Sequence, residues 1–281
     1  MVATVIVNII LAPILIAGWG PGPALGVKGA ALATTVASLF GLCLLVIYFL
    51  KLEKYVAFDT GQWRPRFHLW RRMLEIGLPA GGEMLLLFVY FSAVYFLIQD
   101  FGATAQAGFS IGGRVMQSIF MPTMAIAFAV GPIVGQSFGA GNFPRIRATF
   151  FKGIAISSAV MLTVTVILQI SPEVVVRLFT SEESVIGVAA VFLQIVSLNF
   201  VTQGIVFTAS GVFQGLGNTR PALVSSLLRI GIFVPLAFWA SSRPDYRIEH
   251  IWYISVLSVV LQCCFSVWLV LREFRLRLAG R

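Results

Sequence analysis

Four stretches of this chain, residues 1–27, 115–144, 153–172 and 184–219, contain no Asp, Glu, Lys or Arg. A helix needs about 20 apolar residues to cross roughly 30 Å of hydrocarbon, and these runs reach or pass that length. Reading the apolar segments in order gives eight spans: roughly 1–18, 26–50, 76–98, 108–135, 149–170, 185–208, 221–240 and 250–271. Pro172 and the Gly211–Gly217 stretch interrupt two of the charge-free runs and mark helix ends. The expected fold class is therefore all-α, a polytopic membrane protein with about eight transmembrane helices.

Charge supports lipid as the solvent. Only 11% of the residues are charged, against about 25% in a typical soluble domain, so the chain cannot clothe itself for water. A net charge of +9 would suggest nucleic acid in a soluble protein. Here the basic residues flank spans, so nucleic acid is excluded and the bilayer is the expected partner. Cys43, Cys263 and Cys264 lie inside apolar runs with no metal-ligand or disulfide spacing. His68 and His250 have no metal-ligand partner one turn away, and no catalytic Ser/His/Asp or paired-carboxylate set is present. The expectation is no enzyme, no metal and no cofactor. The start, MVATVIVNIIL, has neither the basic flank nor the cleavage site of a signal peptide. The first span is expected to stay in the mature chain.

Orientation follows from the loops. Lys51, Lys54, Arg64, Arg66, Arg71, Arg72, Arg145, Arg147, Lys152, Arg220, Arg272, Arg275, Arg277 and Arg281 fall on one side, and Lys28, Arg177, Arg243 and Arg247 on the other. That asymmetry puts the first set, and both termini, in the cytoplasm of a multi-pass protein of the cell's inner (plasma) membrane. The longest connection, 51–75, carries Trp63, Phe67 and Trp70 among its basic residues. It reads either as an ordinary positive-inside loop or as an interfacial linker between two membrane subdomains; its length and the WRPRF run favour the linker.

The first hairpin echoes the last. Pro13 and Pro235 each precede a turn-rich outer loop, GWGPGPALG and SSRPDYRIE, and a further apolar helix. Transporters are commonly built from repeated halves. If the hairpins at 1–50 and 221–272 close two equivalent halves, the second half has six helices and the first wants four more before Met1.

Several motifs agree with that arrangement. They are Gly77-Leu78-Pro79-Ala80, Val134-Gly135-Gln136-Ser137-Phe138-Gly139-Ala140-Gly141-Asn142, Gln214-Gly215-Leu216-Gly217-Asn218-Thr219-Arg220-Pro221 and Leu25-Gly26-Val27-Lys28-Gly29-Ala30-Ala31. Together and in this order they resemble the multidrug and toxic compound extrusion (MATE) family of cation-coupled efflux transporters, across essentially the whole chain. The resemblance implies twelve helices in two six-helix lobes joined by a long cytoplasmic loop. Residues 1–50 would then be the last two helices of the N-lobe, 51–75 the inter-lobe linker, and 76–281 a six-helix C-lobe with a basic tail. It further implies an antiporter that exports amphipathic, cationic drugs or toxic organic compounds against inward proton or sodium flow, with the missing N-lobe helices as partner. The rival readings are a lipid-linked saccharide flippase of the same broad superfamily and a non-transporting membrane remnant. A basic cavity would favour the flippase, and a mildly acidic aromatic one the exporter.

Glu83 is the only acid well inside a span, about 10 Å beyond Gly77. A carboxylate at that depth costs roughly 3 kcal/mol, so it is expected to face the protein interior and to bind the coupling cation or proton. A second possibility is a hydrated carboxyl near the cytoplasmic interface. The resemblance places a coupling glutamate eight residues after the helix proline, where this chain has Leu87, and carboxylates where it has Ala12 and, in some members, near Gln203. Glu83 lies one turn before Leu87 and on the same face. Gln106, Arg114, Gln117, Asn199 and Gln203 offer polar groups on cavity-forming spans, and with Tyr90, Tyr95, Phe88 and Phe213 would suit organic cations, which aromatic faces attract. Arg229 is deep enough to pair with Glu83. The Gly131-xxx-Gly135 and Gly135-xxx-Gly139 spacings predict close helix packing, and Asn218-Thr219-Arg220-Pro221 predicts a helix cap.

Overall fold

The computed structural model describes residues 2–19, 24–51 and 66–278. The middle of the 51–75 connection, with Lys54, Trp63 and Arg64, lies outside the described residues, as does the centre of GWGPGPALG. Among the described residues ten α-helices follow one another: α1 (Val2–Ala17), α2 (Val27–Lys51), α3 (Phe67–Ile98), α4 (Ala103–Gly139), α5 (Phe143–Ile170), α6 (Pro172–Arg177), α7 (Glu183–Val196), α8 (Phe200–Gly215), α9 (Arg220–Ser241) and α10 (Ile248–Leu278). There is no strand among the described residues. Seven segments are long and apolar enough to span a membrane, α7 and α8 counting as one, and α1 is a shorter apolar helix of 16 residues. The all-α membrane reading with about eight spans is correct.

Several helices outrun their apolar cores. Helix α3 starts at Phe67 rather than 76, and its first turns carry an exposed Arg71–Glu75 ion pair at 3.2 Å. Helix α4 has 37 residues, about 55 Å of rise. Backbone hydrogen bonding continues wherever nothing breaks it, so a span's ends mark where the lipid stops, not where the helix does.

The chain divides into two compact units, Met1–Arg66 and Phe67–Arg281. The first is the α1–α2 hairpin. Gly18 and Gly26 turn it at φ +71° and +56°, and Leu25 and Gly26 donate their N–H groups to the Leu15 and Ile16 carbonyls at 3.0 and 3.2 Å. Gly29 lies so close to the Leu15 carbonyl that a Cβ there would collide with it. The α9–α10 hairpin repeats the plan in the second unit, with Pro235 inside α9 as Pro13 is inside α1.

Within the second unit, the core has two centres. One stacks Phe109 on Trp252 (5.5 Å between ring centres) with Phe192 edge-on at 4.6 Å; Gly112 lets the Phe192 ring lie against the α4 backbone. The other gathers Phe150, Phe213, Phe274 and Val134 towards the basic ends of the helices. Between them α4 and α8 cross backbone to backbone. A Cβ on Gly211 would stand 2.5 Å from the Ala127 carbonyl oxygen, and one on Gly215 2.5 Å from that of Gly131. In lipid such close approach, rather than the hydrophobic effect, drives helix association. The glycine spacing at 131 and 135 therefore does what it predicts. Gly139 does not, since nothing lies within 4 Å of its Cβ position.

Both crossing helices end on the same device. Gly141 and Gly217 take φ +68° and +67°, and the following Asn142 and Asn218 donate N–H groups back to the Ser137 and Phe213 carbonyls at 2.8 and 3.0 Å. This is the Schellman arrangement, which needs a residue without a Cβ at its left-handed position. The Asn218-Thr219 pair is not a side-chain cap for α9, as its sequence predicts. Thr219 Oγ1 instead donates to the Ile76 carbonyl at 2.6 Å, and Asn218 Nδ2 donates to Glu273 Oε1 at 3.0 Å. Arg277 Nε, one turn on from Glu273, bonds the same oxygen at 2.6 Å. The loop is thus tied to α3 and α10. Glu273→Ala strips two donors of their acceptor at a buried position, which costs about 1–3 kcal/mol. We expect it to lower the melting midpoint of the purified chain by several degrees in a thermal-shift measurement, and an unchanged midpoint would show the tie to be idle.

One span read as continuous is broken. The 3₁₀ turn Ser197–Asn199 separates α7 from α8. Its freed carbonyls are met from α5, where Thr165 Oγ1 donates to the Ser197 carbonyl at 3.0 Å and Gln169 Nε2 to the Gln194 carbonyl at 2.7 Å. Irregular backbone at membrane depth persists only with such partners. At the non-basic end of the unit, burial and the nearby Asp100 push the Tyr246 phenol up to about 12, which keeps it a donor to the Leu97 carbonyl.

Candidate functional site

Helices α3, α4, α8, α9 and α10 line an open-sided cavity of about 370 Å³, within the range of small-molecule sites. Its walls are mostly apolar, with Met84 and Leu87 from α3, Met124 and Phe128 from α4, and Phe207 from α8. The polar groups come from spacings that put one face inward. Gln203, Ser210 and Gln214 stand at i, i+7 and i+11 of α8, and Glu83 and Tyr90 at i and i+7 of α3.

Glu83 is half-buried and accepts a hydrogen bond from Ser210 Oγ at 2.8 Å. Arg229 is half-buried too, but no ion pair joins it to Glu83 among the described residues, contrary to the sequence expectation. Its guanidinium lies 4.4 Å above the Tyr90 ring, Nη1 reaches Gln203 Oε1 at 3.5 Å, and the buried Nε has no hydrogen-bond partner among the described residues. Tyr90 is held in turn by Ser255, its hydroxyl 2.7 Å from Oγ. Gln262 Nε2 donates to Ser226 Oγ at 3.2 Å, while its Oε1 has no partner among the described residues.

Of the residues singled out in the sequence, the cavity brings together Glu83, Tyr90, Gln203 and Arg229. Leu87, where the resemblance expects an acid, lines it as an apolar side chain. The other candidates lie elsewhere. Gln106 is in the first turn of α4, 18 residues and so about 27 Å of rise from Met124. Arg114 and Gln117 are exposed, on the face of α4 opposite Gly112 and Val115. Asn199 is buried in the α7–α8 break, a turn short of the cavity. Phe88 is 68% exposed and Phe213 belongs to the core, so the aromatic walls are Tyr90, Phe128 and Phe207 instead. Ser210, Gln214, Ser226 and Gln262 were not foreseen. The signal was present in α10, where Ser255, Ser258, Gln262 and Ser266 stand at i, i+3, i+7 and i+11 and are all buried.

The family model described as MatE matches residues 79–239, a segment that holds the cavity's contributions from α3, α4, α8 and α9. The chain belongs to the MatE family. Among curated relatives it is similar to the probable multidrug resistance protein YoeA of Bacillus subtilis, 25% identical over 90% of this chain and 55% of that protein. It is also similar to the probable multidrug resistance protein NorM of Thermotoga maritima, 30% identical over 82% of this chain and 50% of that protein. The chain thus spans about half the length of the curated MatE relatives it matches. Among solved structures, a multidrug resistance MATE family transporter of the MOP superfamily in its outward-facing conformation superposes with a TM-score of 0.88 at 20% identity, over 98% of this chain and 61% of that one.

Proposed function

We propose that this MatE chain forms the cargo-binding lobe of a cation-coupled antiporter that exports amphipathic, cationic organic compounds. The observation that carries the reading is the lone carboxylate of Glu83 in a mostly apolar and aromatic cavity, held by the Ser210 hydroxyl and not paired, among the described residues, with Arg229 of the same cavity. Such a group is open to a proton, a sodium ion or a cargo cation in turn, and exchange among these is what couples two fluxes. The flanking aromatic faces of Tyr90, Phe128 and Phe207 suit flat organic cations. Alternating access would come from rocking this lobe against its twin. The basic loops support cytoplasmic termini in the plasma membrane.

The test is ethidium efflux from pump-deficient cells that produce the chain alone, or the chain extended at its N-terminus by the first four helices of a MatE relative. Efflux is expected from the extended protein and should collapse with a proton or a sodium ionophore, which names the ion. No efflux from the extended protein would overturn the reading. Arg229 favours a second one, translocation of a lipid-linked saccharide whose phosphate would meet the guanidinium. That reading predicts no ethidium efflux under either gradient.

A further inference from the structure

The charged groups of the cavity do not meet; they stand at two levels of it. On α3, Glu83 and Tyr90 are seven residues apart, and on α8 the residues that answer them, Ser210 and Gln203, are also seven apart. Seven residues are two helical turns, roughly 10 Å. At matched levels of the two helices thus stand the Glu83 carboxylate with Ser210 and, two turns away, the guanidinium of Arg229 from α9 over Tyr90 beside Gln203. Between them run apolar side chains, Leu86 and Leu87 on one wall and Val206 and Phe207 on the other.

The guanidinium end is incomplete. Tyr90 and Gln203 are both neutral, and no carboxylate pairs with Arg229 among the described residues. A cation at membrane depth is costly unless it is paired. Arginine's planar fork is also shaped to take a carboxylate or phosphate through two parallel hydrogen bonds. The contact to Gln203, at 3.5 Å, leaves most of that capacity unused.

Resting on the exporter reading above, we infer that the cavity selects elongated amphipathic zwitterions, with a cationic group docked at Glu83 and an anionic group at Arg229 about 10 Å away. Arg229 is then a specificity-determining residue: a cargo with only the cation fills one end, while a cargo with both groups at the right separation fills two. A zwitterion whose charges stand closer together can satisfy only one end at a time.

A rigid biphenyl series tests this by direct binding to the purified chain. In 4′-(aminomethyl)biphenyl-4-carboxylate the charged groups are about 11 Å apart, and in 4-(aminomethyl)benzoate about 7 Å. The long zwitterion is expected to bind about tenfold more tightly than biphenyl-4-methylammonium, biphenyl-4-carboxylate or the short zwitterion, a difference of about 1.4 kcal/mol. Arg229→Gln, checked for a monodisperse profile on size exclusion, should erase that advantage, and Arg229→Lys, which keeps charge without the fork, should retain part of it. If the short zwitterion binds as well as the long one, or Arg229→Gln leaves the advantage in place, the inference is overturned. If the wild-type chain binds the ammonium compound but shows no preference for the zwitterion, the inference alone fails. Failure of the ammonium compound to bind, with no effect of Glu83→Gln on any compound, would sink the exporter reading with it.

Discussion

Glu83→Gln is expected to cut ion-driven efflux sharply in the helix-extended protein while leaving membrane insertion intact. The amide has the shape of the carboxylate and can still accept the hydrogen bond that Ser210 donates at 2.8 Å, so the α3–α8 wall keeps its geometry. What disappears is the negative charge and the exchangeable proton. Coupling free energies between two bound species are typically 1–3 kcal/mol, so removing the shared site should cut gradient-driven ethidium efflux by about 5–150-fold. Insertion should if anything become easier, because a charge at this depth costs roughly 3 kcal/mol. Everted vesicles energised with lactate or with a sodium gradient read the effect directly. Efflux unchanged from wild type would remove Glu83 from the mechanism.

The second large effect is on stability, at the α4–α8 crossing. A Cβ on Gly215 would stand 2.5 Å from the Gly131 carbonyl oxygen and 2.8 Å from Val134 Cβ. Neither neighbour is the far end of a flexible side chain, so the helices themselves must separate. Overpacking of this kind costs about 1–3 kcal/mol for modest insertions and more for bulky ones. Gly215→Leu should therefore lower the melting midpoint by roughly 10 °C or prevent a monodisperse lobe from forming. Gly139→Ala, in the same glycine series on α4 but with nothing within 4 Å of its Cβ position, should be neutral or slightly stabilising, since alanine is the better helix former. Equal loss in both variants would mean that the crossing is not what the glycines serve.

The spans were legible because lipid imposes a simple condition, an uninterrupted apolar run, and four charge-free stretches met it. Glu83 was legible for the converse reason, as the one acid that violates the condition. The break at Ser197–Asn199 was not, because no proline or glycine marks it and the donors that make it tolerable, Thr165 and Gln169, sit some thirty residues away on α5. The cavity's neutral groups were hidden by their chemistry. Serines such as Ser225 and Ser258 satisfy their hydroxyls on their own helix, so a serine in a span carries no signal unless its neighbours repeat at i+3, i+7 and i+11. Helical phase does not set Arg114 and Gln117 aside, since Gln117, Met124 and Phe128 also stand at i, i+7 and i+11 of α4; the two fall outside the cavity because they lie two or more turns further along the helix. The Glu83–Arg229 pair failed for a different reason. Opposite charges in one cavity need not meet when two turns of helix hold them apart.

The crossing of α4 and α8 also bears on how such a lobe can change over generations. Its locking faces contain almost no side chains, so they offer little for selection to tune and little that mutation can improve. Beside that seam on the same two helices stand Met124, Phe128, Gln203 and Phe207, which line the cavity together with Ala127 and Gly211 of the seam itself. Exchanging these four side chains for other shapes and polarities would therefore reshape the cavity while the backbone seam goes on specifying the fold.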